Sequence, residues 1–150
     1  MNEKEFELIL KEGEGQFIEF KENLNDRFAK EIVAFSNASG GRIFLGITDK
    51  KEIKGVDITN ELKSRLVDIT RNCDPTIIIT LKEFRNILII EVEEGRNKPY
   101  QCSDGFFMRI GPNSQKLPRD QILESSMKHG KIRFDDQVLI DFNFNDFDNM

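Results

Sequence analysis

The spacing of the apolar residues changes once along this chain, and that change limits the fold more than any other feature of the sequence. Before Pro75, apolar residues at helical spacing alternate with short strand-like stretches, whereas beyond Pro75 the spacing is two. The first part predicts helices and strands over 3–11, 17–21, 26–39, 42–48 and, from Thr59 or Asn60, a helix that ends before Asp74. The second part predicts strands over 76–84, 87–93, 100–102 and 106–110 and a last helix over about 118–129. This order predicts an α+β fold, a single domain whose mixed β-sheet packs with about four helices.

The length of 150 residues is that of one domain. We expect this domain to occupy residues 1–130. Residues 131–150 form an acidic extension, in which two basic residues stand against five aspartates and four phenylalanines are interspersed. Such a stretch either packs back on the domain or begins a downstream region that this chain lacks, and we favour the second interpretation.

The composition excludes several classes of protein. His129 is the single histidine, so metal sites built from several histidines are excluded. Any metal ion would be held mainly by oxygen ligands, which suit Mg²⁺, Mn²⁺ or Ca²⁺. Cys73 and Cys102 match no zinc or redox spacing, and we therefore expect a reduced, cytoplasmic protein. The longest apolar run, Ile87–Ile90, is too short to cross a membrane.

The sequence supports no nucleotide cofactor. Residues 13–18 begin like a GxGxxG motif, but they follow a predicted helix and precede a predicted strand, which is the reverse of the dinucleotide-binding order. Residues 40–46 lack the Gly-Lys-Ser/Thr of a phosphate-binding loop, and their glycines follow a helix instead of beginning one.

The net charge of −5 differs from that of a generic nucleic-acid binder. The charge is unevenly distributed, however, because residues 109–133 carry six basic residues against two acidic ones. A basic segment of this kind forms either a local phosphate-binding face or a solvated helix surface. Charge alone favours the solvated surface.

Three carboxylates form the candidate metal site. Glu14 lies in a glycine-containing loop, Glu19 lies in the first strand and Asp49 ends the second strand. The carboxyl ends of two parallel strands joined by a helix lie on one side of the sheet, so we expect these side chains to approach each other. Carboxylates that meet repel unless a cation lies between them, and Mg²⁺ or Mn²⁺ there would activate water for attack on a phosphodiester. The alternative is that Glu19 is a solvated strand residue and Asp49 a turn residue bonded to its own backbone.

Five segments in order resemble the Schlafen/AlbA-like DNA-binding domain family. Residues 14–21 (EGQFIEFK) resemble its ExxxxEFK signature, and residues 34–49 resemble its AFANTxGGxLxxGVxD block. The remaining matches, to IxGV, KPxY and YxRxGxxS, are carried by residues 53–56, 98–100 and 107–114. The small departures from the family pattern are Ser36, Ser39 and Phe107.

The resemblance implies the fold of that family and two different functions. The first is binding of nucleic acid, DNA or RNA, by a DNA-binding type of domain that forms the N-terminal part of a larger prokaryotic transcriptional regulator. The alternative is a Mg²⁺- or Mn²⁺-dependent endoribonuclease of the Schlafen type that acts on structured RNA such as tRNA, with Glu14, Glu19 and Asp49 as its catalytic metal ligands. A protein-interaction module is a second alternative, consistent with the negative net charge.

Six basic residues are candidate contacts to nucleic acid. Lys21 lies beside Glu19 and is predicted to hold a phosphate near the carboxylates. The others are predicted to complete a groove that contacts the phosphate backbone: Arg42, Lys98, Arg109, Lys116 and Arg119. For each of them, ordinary surface charge is the alternative. The resemblance also implies a partner, because vertebrate Schlafen proteins combine two domains of this kind. We therefore also expect this domain to form a homodimer.

Overall fold

The computed structural model describes residues 1–128, and its elements follow the predicted order with one additional strand. The helices are α1 (Glu3–Glu12), α2 (Phe28–Asn37), α3 (Asn60–Arg71) and α4 (Arg119–Lys128). The strands are β1 (Ile18–Lys21), β2 (Gly41–Leu45), β3 (Ile79–Phe84), β4 (Ile87–Val92), β5 (Gln101–Cys102), β6 (Gly105–Ile110) and β7 (Asn113–Lys116). The α+β fold class is confirmed. The predicted extension over 131–150 lies outside the described residues, as does His129.

The main sheet is mixed and has the strand order β1-β2-β4-β3. β1 and β2 are parallel, as predicted, with Glu19 opposite Ile43, and α2 is the crossover between them. The pairs β2–β4 and β4–β3 are antiparallel. β2 ends at Leu45 and not at residue 48, because the amides of Gly46 and Ile47 both donate to the carbonyl oxygen of Lys21 and draw the chain out of the sheet.

Helices and a second sheet cover the two faces of the main sheet. On one face, α1 packs through Phe6 and Ile9 against Phe20 of β1 and Phe44 of β2. On the other face, the apolar stripe of α2 forms the larger core together with α3, β4 and residues of β5 and β6. The strands β2 and β4 are buried on both faces, which explains their nearly continuous runs of apolar residues. Within residues 1–128, no helix is long and apolar enough to cross a bilayer.

The second sheet is antiparallel and has the order β5-β6-β7. Its central strand β6 packs against α2. The sequence did not predict β7, whose four residues are all polar and mostly exposed, so no apolar alternation indicates a strand. α2 begins at Phe28, two residues later than predicted, because Asn25 accepts a hydrogen bond from the Arg27 amide and the chain forms a turn there.

Candidate functional site

A buried ion pair lies at the centre of the predicted site. Glu19 of β1 is 6% exposed, and Nη1 of Arg109 in β6 donates to its Oε1 at 2.6 Å. The side chain of Arg109 is fully buried, so water does not screen this contact. Arg109 was predicted to contact nucleic acid, and the structure places it instead in the interior, where it neutralises a carboxylate.

Every other contact of the Arg109 guanidinium is also internal. Nε donates to the carbonyl oxygen of Gly15 at 3.1 Å, and Nη2 donates to that of Ile18 at 2.9 Å. Nη1 additionally donates to Oγ of Ser114 in β7 at 3.1 Å, and the guanidinium lies 4.7 Å from the ring centroid of Phe35. Arg109 therefore joins the β6–β7 hairpin to the segment that begins β1.

A side-chain amide strengthens the same junction. Nε2 of Gln16 donates to the carbonyl oxygen of Arg109 at 3.0 Å, while its Oε1 accepts from the amide of Gly111 at 2.8 Å. The amide thus satisfies one donor and one acceptor of the β6–β7 hairpin, as a neighbouring strand would do.

A second buried carboxylate, Glu31 of α2, was not predicted as a site residue. It is 4% exposed, lies 3.0 Å from Nζ of Lys21 and 3.9 Å from Nη1 of Arg109. Burial raises the pKa of Glu31, but hydrogen bonds from Ser114 and Lys21, together with the positive charges of Lys21 and Arg109, outweigh burial and hold the pKa below its usual value. The only signal in the sequence was an acidic residue within an otherwise apolar stretch of α2.

Glu14 and Glu19 come together, as predicted. Oε2 of Glu14 accepts from the amide of Phe20 at 3.0 Å, which turns this exposed side chain back along β1 towards Glu19. Burial, the largest cause, and a hydrogen bond with Glu14 raise the pKa of Glu19, whereas Arg109 lowers it, and together these effects bring the pKa to about 8. We call Glu14, Glu19, Lys21, Glu31 and Arg109 the charge cluster.

Asp49 lies in an exposed turn, four residues beyond the end of β2. The loop that carries it approaches the end of α1, where Nζ of Lys51 donates to the carbonyl oxygen of Lys11 at 3.3 Å. Among residues 1–128, no three His, Cys, Asp or Glu side chains converge in a way that could hold a metal ion. The carboxylate of Glu19 is already paired with Arg109, and Asp49 does not lie with Glu14 and Glu19. The three predicted carboxylates therefore do not fit Mg²⁺ or Mn²⁺ in the present arrangement.

The other predicted nucleic-acid contacts fall into three groups. Arg42 and Lys98 are bound to carboxylates, since Nη1 of Arg42 lies 3.5 Å from Glu5 and Nζ of Lys98 lies 2.6 Å from Glu94. Lys21 belongs to the charge cluster. Lys116 and Arg119 are exposed, and neither forms an ion pair with any residue in the described part of the chain.

Comparison with known proteins agrees with this architecture. The profile of the Schlafen, AlbA_2 family matches residues 14–118. The chain belongs to this family. The matched range contains Arg109 and its partners Gly15, Glu19 and Ser114.

Two solved structures are similar to this Schlafen/AlbA_2 domain. The DIP2311 protein of Corynebacterium diphtheriae is 22% identical, with a TM-score of 0.57 over 80% of this chain and 25% of its own. The N-terminal domain of a RecG-related protein of Nitrosomonas europaea is 17% identical, with a TM-score of 0.46 over 77% of this chain and 90% of its own. The first likeness supports the fold. Among the curated proteins compared with it, none matches this chain.

A buried asparagine of α2 binds the backbone of the second sheet in this Schlafen/AlbA_2 domain. Nδ2 of Asn37 donates to the carbonyl oxygens of Tyr100 and Phe107 at 2.9 and 2.8 Å, and its Oδ1 accepts from the amide of Tyr100 at 2.6 Å. These backbone contacts reach the second sheet, so Asn37 fixes β5 and β6 against α2.

Proposed function

We propose that this Schlafen/AlbA_2 domain binds nucleic acid, with DNA as the expected ligand, as the N-terminal part of a larger prokaryotic transcriptional regulator. The observation that carries the proposal is the exposed pair Lys116 and Arg119 at the junction of β7 and α4, which no described carboxylate neutralises. Membership of the family supports the same function.

The junction is well placed to present these charges. The amide of Leu117 donates to the carbonyl oxygen of Phe106 at 2.8 Å, which fixes the chain beside the β5–β6 hairpin between the two basic residues. Arg119 begins α4, and Lys116 is the last residue of β7. Phosphate contacts of this kind hold a nucleic acid without reading its sequence. We therefore expect binding that tolerates different sequences.

A salt titration tests the proposal. A labelled DNA duplex is titrated with the full chain at several salt concentrations and followed by fluorescence anisotropy, with RNA of the same length in parallel. Removal of one phosphate-binding cation should reduce the slope of log K against log salt by about one. We expect this reduction for Lys116→Ala and for Arg119→Ala.

The matched control is Lys82→Ala, because Lys82 is exposed and already paired with Glu91 at 3.3 Å. We expect this control to leave the slope unchanged. Binding with no salt dependence, or the same slope in all the variants, would contradict the proposal. Absence of any binding to DNA or RNA would favour the protein-interaction alternative.

The predicted homodimer is part of the proposal, because two copies would present two basic junctions to one duplex. Light scattering of the full chain at tens of micromolar should give twice the mass of one chain. The mass of a single chain would remove the dimer from the proposal and leave the salt test unaffected.

The contact between Glu14 and Glu19 is the observation that favours the endoribonuclease as a second candidate. That function would require Glu19 to leave Arg109, and it stays a prediction. Labelled tRNA is incubated with the protein in Mn²⁺ or in EDTA and run on a denaturing gel beside Glu14→Gln, a substitution at an exposed site that leaves the buried ion pair intact. Cuts that need Mn²⁺ and vanish in this variant would support the nuclease, and uncut tRNA in every lane would remove it.

A further inference from the structure

We infer that a polar crevice at the carboxyl ends of β1 and β2 binds a nucleotide through its phosphate group. The crevice has a volume of about 520 Å³, within the size range of ligand pockets. Asn23, two residues beyond β1, and Leu45, the last residue of β2, both line it. In sheets with parallel strands, ligands bind outside the carboxyl ends of those strands.

The crevice presents two cations to a ligand. Arg65 projects from α3, is exposed and forms no ion pair with any residue within the described range. Lys54 lies 3.0 Å from Glu22, but both side chains of this pair are exposed, and such a pair is weak and exchangeable. Asp57 is the acidic group of the lining. A guanidinium and an ammonium that line the same crevice are a donor set that suits a phosphate dianion.

The remaining lining favours a nucleotide over inorganic phosphate. Asn86, in the turn between β3 and β4, lies so close over Gly55 that any Cβ at Gly55 would clash with its side-chain amide. Asn23 provides a second amide, and two amides offer the donors and acceptors that match the edge of a base. Leu24 and Val56 supply apolar surface against which a base can pack.

The inference does not rest on the proposed function. The crevice shares no residue with the junction of Lys116 and Arg119. The crevice also differs from the dinucleotide-binding motif and the phosphate-binding loop that the sequence analysis excluded. In those two motifs a glycine-rich loop holds the phosphate, whereas in the crevice side chains would hold it.

The test is a titration of the ¹⁵N-labelled full chain with adenosine 5′-monophosphate, with inorganic phosphate and with adenosine. We expect the nucleotide to bind more tightly than either of its parts and to shift the amide signals of Gly55 and Asn86. Arg65→Ala should weaken nucleotide binding about tenfold, as for the loss of one charge-assisted hydrogen bond. The control Lys63→Ala, on the same helix and paired with Glu83 at 3.1 Å, should change binding by less than about twofold.

The nucleotide unit has two sources, a free nucleotide or the end of a nucleic-acid strand. Oligonucleotides of one sequence with a 5′-phosphate or a 5′-hydroxyl distinguish them. A preference for the 5′-phosphate that disappears in Arg65→Ala assigns the crevice to a strand end, and binding of the mononucleotide alone assigns it to a free nucleotide. The inference is overturned if neither ligand binds at millimolar concentration, or if a folded Arg65→Ala protein, checked by circular dichroism, binds as the parent does. It is also overturned if Lys116→Ala, and not Arg65→Ala, removes binding.

Discussion

Arg109→Ala is expected to destabilise the domain severely. Arg109 is fully buried, and its removal leaves the buried Glu19 without the cation that lies 2.6 Å away. At a pH above about 8, where the Glu19 carboxyl group is ionised, removing Arg109 costs about 3–5 kcal/mol, because the remaining charge stays buried without compensation. The carbonyl oxygens of Gly15 and Ile18 each lose one donor in the same substitution, and that of Ile18 keeps the amide of Gly15 at 3.0 Å.

Urea unfolding followed by circular dichroism measures this loss. For a slope of about 2 kcal/mol per molar urea, typical of a small domain, a loss of about 4 kcal/mol lowers the unfolding midpoint by about 2 M. The double variant with Glu19→Gln should be more stable than Arg109→Ala alone, because no buried charge remains. Arg42→Ala, which removes an exposed pair with Glu5, is the control and should cost less than about 1 kcal/mol.

The loss of stability caused by Arg109→Ala should also depend on pH. Burial raises the pKa of Glu19 from 4.5 to about 8, so between these values the folded protein binds more protons than the unfolded chain. The stability contributed by protonated Glu19 is therefore full below pH 4.5 and is lost as the pH rises through 8. Arg109 lowers this pKa, so in Arg109→Ala the loss extends to still higher pH. The penalty should be larger at about pH 9 than at about pH 5.

Three results would refute this reasoning. The first is a cost of less than about 1 kcal/mol for Arg109→Ala, since a buried, uncompensated carboxylate destabilises a fold by more than that. The second is a double variant no more stable than the single one, which would show that Glu19 is not the group left uncompensated. The third is a penalty that is larger at low pH than at high pH.

The remaining predictions concern packing and thiols. Asn37→Ala should lower the free energy of unfolding by about 3 kcal/mol in urea, because three buried backbone groups lose their partner, whereas the exposed Asn113→Ala should change it by less than about 0.5 kcal/mol. Gly40→Ala should cost more than about 1 kcal/mol by the same measure, since its φ is +81° and a Cβ would lie 2.7 Å from a carbonyl oxygen of β4, and an unchanged midpoint would contradict this. Burial raises the pKa of the Cys73 thiol to about 12, and Cys102 is also buried, so a chromogenic disulfide reagent should label neither in the native protein and both in urea.

The spacing of apolar residues predicted the fold well, because most helices and strands have a buried face that is visible in their own sequence. The helical spacing in α1 and the apolar runs of β2 and β4 reflect faces that are buried in the structure. The parallel pairing of β1 and β2 followed from the helix between them. β7 could not be predicted, because its residues are polar and mostly exposed and show no apolar alternation. Its strand conformation comes from backbone pairing with β6.

The candidate site was predictable only where its residues lie close in sequence. Glu14 and Glu19 meet because a short loop leads directly into β1, and this geometry follows from their separation. The pairing of Arg109 with Glu19 joins residues 90 apart, and no local pattern specifies it. The sequence alone does not distinguish an arginine that binds a phosphate from an arginine that binds a buried carboxylate.

The charge cluster shows why basic residues counted along a sequence overstate a phosphate-binding face. Two cations, Lys21 and Arg109, stand against the carboxyl groups of Glu14, Glu19 and Glu31, so this part of the predicted groove carries no excess of positive charge. A cation already satisfied by a buried carboxylate would have to break that contact to bind a phosphate, and the cost is several kcal/mol. An exposed cation has no such cost, because it gives up only water and loosely held counterions. Cations outside the cluster are therefore better suited to bind a phosphate, and both proposed sites use such residues.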